Sequence, residues 1–102
     1  MKKLVRDKIP EIIASKGEKC EYFIADDNSY EVSLLAKILE EAIEVSKAEN
    51  DTELKEEIAD LYEVIDAFIK YKNFSHEEIL EIQKQKREKK GGFEKKIILT
   101  KY

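Results

Sequence analysis

The chain has 102 residues, with 19 basic and 23 acidic side chains and a formal net charge of −4 at pH 7. A length of this order is one domain, 1–102, and surface scaling lets folding bury roughly 65% of its unfolded area, enough for one core without staples. At 42% hydrophobic residues it is no disordered polyampholyte. Its acidic balance speaks against broad nucleic-acid binding, and three Gly with one Pro leave too few turns for a many-stranded sandwich or barrel.

In chain order, a basic opening runs to Ile9, Pro10 suits the first turn of a short helix, and Gly17 stops that helix. Cys20 to Ala25 is a brief apolar stretch, either an extended connector or a short edge strand. Asp26-Asp27-Asn28-Ser29 supplies N-cap candidates, and Asn28 with Glu31 approximates a capping box. A long helix is expected from about Ser29 to Glu49, and Asn50-Asp51-Thr52 breaks it and caps the next, about Thr52 to Lys72. After Asn73-Phe74, Ser75 and Glu78 form a capping box for a third long helix that Gly91-Gly92 terminates near Lys90. Phe93 to Leu99 is a short strand or extended tail.

The expected fold class is therefore all-α. The two central helices share a short loop and should pack antiparallel, in a helical bundle completed by the third long helix and by a second subunit. The core candidates are Leu34, Leu35, Ile38, Leu39, Val45, Leu54, Ile58, Leu61, Ile65 and Phe68. The lone Cys20 excludes an intramolecular disulfide and fits a reducing, cytoplasmic setting; it reads as buried or chemically neutral. The longest run without a charge is five residues, Val32 to Ala36, too short to span a bilayer. His76 falls in the first turn after the Ser75 cap and is expected to be exposed and inert.

The acids are informative by face, not by spacing, because pairs three apart abound in a Glu-rich chain. On a helical wheel Leu54, Ile58, Leu61, Val64, Ile65 and Phe68 share an arc, and Glu57 falls inside it between Val64 and Phe68. Asp60 lies about 60° further round. On the preceding helix Glu41 sits between Ala48 and Leu34 at the rim of the apolar face, with Glu44 one step outward. Two antiparallel helices thus aim a carboxylate pair each at their seam. Four acids there repel unless a cation neutralises them, and no Lys or Arg is expected inside those arcs apart from Lys72. Oxygen ligands of this kind suit Mg²⁺ or Mn²⁺.

Glu40-Glu41-Ala42-Ile43-Glu44, twelve residues, then Glu57-Ile58-Ala59-Asp60 reads as E-E-x-x-E … E-x-x-D. That pattern resembles the metal-binding signature of MazG-like nucleoside triphosphate pyrophosphohydrolases, within the all-α NTP pyrophosphatase superfamily. The flanking runs Lys3-Leu4-Val5-Arg6-Asp7-Lys8-Ile9-Pro10 and Lys86-Arg87-Glu88-Lys89-Lys90-Gly91-Gly92-Phe93 look like a short branch of it. The resemblance implies Glu41, Glu44, Glu57 and Asp60 as metal ligands and Glu40 as a base-like catalytic residue. It also implies an assembly at least dimeric and hydrolysis between the α- and β-phosphates of a nucleotide, releasing a monophosphate and pyrophosphate. Arg6, Lys8, Lys86 and Arg87 are the candidates for substrate phosphate contacts, Arg being suited to bidentate geometry. A phosphoribosyl-ATP pyrophosphatase of histidine biosynthesis has similar acidic helices and is the rival within the fold. A non-catalytic helical interaction module with surface acids is the rival outside it.

Overall fold

Local capping decides where the helices begin. In the computed structural model, which describes residues 2–102, Asp26 is extended and its carboxylate accepts from the Ser29 N–H at 2.8 Å, so α2 runs Asp27–Lys47. Asn50 does the same for Glu53 at 2.8 Å and starts α3, Asp51–Tyr71. Ser75 accepts from the Glu78 N–H at 3.1 Å and starts α4, His76–Lys90. Each bond satisfies one of the donors that a helix start leaves unpaired. The short α1, Ile9–Ser15, has no side-chain cap and relies on Pro10, whose fixed φ suits a first turn. Gly17 and Gly91 follow α1 and α4 at φ of +76° and +85°, a left-handed region that costs glycine little.

Among the described residues there are four helices and no strand, so the chain is all-α. Cys20–Ala25 is therefore a connector, and Phe93–Leu99 is a tail whose Phe93 is almost wholly exposed. Capping of α2 falls on Asp26 instead of Asn28, because the first cap-type residue with an extended backbone already closes the turn, with Tyr30 N–H donating to Asp26 O at 2.8 Å. Cys20 is exposed, which removes the buried alternative of the two expected for it.

The chain divides into two compact units, the first ending at Lys72 and the second spanning Asn73–Tyr102. In the first, the 21-residue α2 and α3 pack on each other. Their antiparallel register is fixed at the open end, where Tyr71 Oη donates to Asp27 O at 3.1 Å and Lys72 Nζ meets Glu31 Oε1 at 2.9 Å. That pairing holds the Glu31 carboxyl below its usual range and raises the Lys72 ammonium. Tyr30 and Tyr71 add an edge-to-face contact with centroids 5.2 Å apart.

The seam buries Leu34 and Val64, at 1% and 7% exposure, with Ile38, Val45, Leu54, Ile58, Leu61 and Phe68 half-buried. Leu35, Leu39 and Ile65 were core candidates and are exposed. The apolar sweep of α2 is wider than the strip one partner helix can cover, so Val32, Leu35, Leu39 and Ile43 are left outside. In the second unit α4 carries Ile79, Leu80 and Ile82 in its first half and is polar from Gln83 on, with Ile79 its one half-buried residue and Arg87 paired with Glu94 past the helix end. No helix among the described residues is long and apolar enough to cross a membrane.

Candidate metal centre

The α2–α3 register brings carboxylates together at mid-seam. Glu41, one turn and a half before the α2 terminus, is buried at 8% exposure, the only buried charged residue among those described. Across the seam, Glu57 and Asp60 lie one turn apart on α3 and are half-buried. One carboxylate oxygen from each of the three lies within 4.8 Å of the others. Three residues on a single helical turn and its neighbour can do this because side chains three apart on a helix share a face.

Two cations already attend the cluster. Arg6 Nη2 donates to Asp60 Oδ1 at 2.7 Å, reaching across from the segment before α1. Lys37 Nζ lies 3.4 Å from both Glu40 Oε2 and Glu41 Oε1, with its side chain only 19% exposed. The expectation that no Lys or Arg enters the α2 arc is thus corrected. Lys37 stands three and four residues before Glu40 and Glu41, the spacing that lets a lysine stem fold along a helix to reach both. That spacing is the signal the sequence carries for Lys37, which lies at the border of the apolar stripe.

Glu57 is left with no cationic partner among the described residues. Its carboxyl is raised above the usual range, first by desolvation and then by the charges of Asp60, Glu44, Glu41 and Glu53. Glu44 is exposed and stands outside the three-oxygen group, acting on Glu57 through its charge. Glu40 is half-buried and bonded to Lys37. Of the basic residues considered for phosphate, Arg6 joins the cluster through Asp60, and Lys8 is the exposed N-cap of α1. Lys86 and Arg87 belong to the second unit, where Arg87 is bonded to Glu94.

The donor set is chemically apt for a hard divalent cation. It is all carboxylate, drawn from two elements, and one of its members is an unpaired anion held in a partly dry seam. Comparison with protein-family models, curated proteins and solved structures gives no match to this chain.

Proposed function

We propose that the chain is a Mg²⁺-dependent nucleotide pyrophosphohydrolase, cleaving the α–β phosphoanhydride of a nucleoside triphosphate to a monophosphate and pyrophosphate, with Mn²⁺ as an alternative ion. One observation carries this reading. Glu57, inside the apolar arc of α3, faces Glu41 and Asp60 with its charge uncompensated. The three acids that meet there belong to the E-E-x-x-E … E-x-x-D pattern, which resembles the signature of MazG-like enzymes.

On this reading Glu41, Glu57 and Asp60 hold the ion, and Glu44 adds negative potential from the rim. A divalent ion bound there supplies Lewis-acid polarisation of a phosphoryl oxygen and a bound water acidified toward neutral pH. The remaining work falls to this chain's own side chains. Lys37 holds the buried Glu41 carboxylate in place and also pairs with Glu40, which on this reading would accept a proton from water. Asp60 and Arg6 orient each other. The substrate is a polyanion, so the basic side chains Arg6 and Lys8, which belong to the same unit as the carboxylates, are its candidate phosphate partners.

The exposed stripe of Val32, Leu35, Leu39 and Ile43 on α2 supports a homodimer or higher homo-oligomer, since a monomer this small gains by covering such a face. A pyrophosphate-release screen tests the activity, run over ordinary, deoxy and damaged nucleoside triphosphates and phosphoribosyl-ATP, with and without Mg²⁺. Metal-dependent release from at least one nucleotide is expected. Release from none of them, at any pH from 6 to 9, refutes the reading.

A further inference from the structure

The two cations at the cluster differ in a way that separates their roles. Lys37 is held on the same helix as its partners, and its side chain is 19% exposed. Arg6 precedes α1, its side chain is 56% exposed, and its one bond to the site is to an Asp60 side chain that is itself 42% exposed. An exposed pair of this kind is weakly held and open to competition by ions.

Asp60 is also one of the three residues whose oxygens converge within 4.8 Å. A divalent cation among those oxygens needs the lone pairs that the guanidinium uses and repels the guanidinium by charge. Lys37 is anchored on the helix of its own partners, whereas Arg6 is tied locally through its carbonyl, which accepts from the Ile9 N–H at 3.0 Å. Its planar fork of donors matches phosphate oxygens as well as it matches a carboxylate.

We propose that Arg6 is an exchangeable counter-ion. It neutralises Asp60 until a divalent cation takes that carboxylate, and it then turns its guanidinium to the phosphate groups of the incoming anion. The proposal rests on the metal-site reading above and adds an order to it: cation first, then polyphosphate. The anion is thereby recruited only to a site already carrying its metal, because beforehand the arginine is engaged.

Calorimetric titration of the full chain and its Arg6→Gln and Arg6→Lys variants tests this. Arg6 is mostly exposed, so both variants should keep the wild-type circular dichroism. Mn²⁺ should bind Arg6→Gln about two- to fivefold more tightly than wild type, the scale of an exposed ion pair. Inorganic pyrophosphate, titrated with saturating Mg²⁺ present, should bind both variants more weakly, by about fivefold for Arg6→Gln. Amide hydrogen exchange of wild-type residues 4–9 should quicken on adding Mg²⁺ alone. Equal or weaker Mn²⁺ binding by Arg6→Gln, or unchanged pyrophosphate binding, overturns the exchange while leaving the metal site standing. If wild type and Arg6→Gln both take up no Mn²⁺, the exchange and the metal site fall together.

Discussion

Replacing Glu57 by Gln separates a ligand from surface decoration, because its two consequences have opposite signs. Glu41, Glu57 and Asp60 carry three negative charges, and Arg6 and Lys37 offset two of them. The surplus resides on Glu57, whose carboxyl is raised by desolvation and by the neighbouring acids. A carboxyl raised in the folded state binds more protons there than in the unfolded chain. Stability from this group therefore falls as pH climbs through the usual Glu range and on to the raised value, and the penalty is complete above it. With EDTA present at pH 7 to 8, Glu57→Gln should melt higher than wild type, and the two curves should converge toward pH 4. If the acids hold a metal, added Mg²⁺ should act the other way. At a hundredfold excess over its Kd it should stabilise wild type by about 2.7 kcal/mol, or roughly 10–20 °C for a domain of this size. Glu57→Gln should lose most of that shift. Differential scanning fluorimetry over a grid of pH and Mg²⁺ reads both. A variant that matches wild type in EDTA and in Mg²⁺ refutes the reasoning, since the residue would then be neither repelled nor a ligand.

Two further substitutions probe the scaffold. Leu34 is the one apolar side chain almost fully enclosed, at 1% exposure, so Leu34→Ala should cost about 2–5 kcal/mol in urea denaturation; a loss under 1 kcal/mol would mean the seam is not the core. Leu39 is 67% exposed on the outer stripe of α2, so Leu39→Asp should leave a lone α2–α3 pair intact and abolish self-association. Sedimentation velocity of wild type and Leu39→Asp decides it, and an unchanged coefficient removes that stripe as an interface.

The helices were legible because their determinants are local. Asn50 and Ser75 are cap residues followed at the third position by Glu, and each accepts from that Glu N–H. Gly91 marks the α4 terminus by a positive φ that few other residues tolerate. Where four cap-type residues stand in a row, as in Asp26-Asp27-Asn28-Ser29, local chemistry does not choose among them, and the cap falls on Asp26, two residues before Asn28. The core was legible only to the width of a wheel. Leu34 and Leu39 are both apolar on α2, but burial depends on how wide a strip the partner helix covers, and that width is a property of packing.

The site divides along the same line. Helical periodicity placed Glu57 on the apolar face of α3 and Glu41 at the rim of that of α2, and the antiparallel register then joined them. The counter-charges escaped that reasoning for different reasons. Lys37 obeys the same three-and-four spacing as the acids it serves, and so was readable. Arg6 lies 54 residues from Asp60 in a segment without regular structure, and no periodicity reports such a contact.

On the proposed metal-site reading, that asymmetry bears on how the cluster would take up its ion. A metal site built on two rigid helices needs its acids close before the ion arrives, and their repulsion would open the seam if nothing offset it. An internal lysine on the same helix supplies a permanent share of that offset, at Glu41, where burial is greatest. A second share must be removable, or the ion would find its oxygens occupied. Arg6 meets this condition by coming from outside both helices and binding at the more exposed acid. Glu57 lies between these two neutralised neighbours and has neither kind of partner among the described residues, so the unmet charge is concentrated where an incoming cation would touch all three carboxylates.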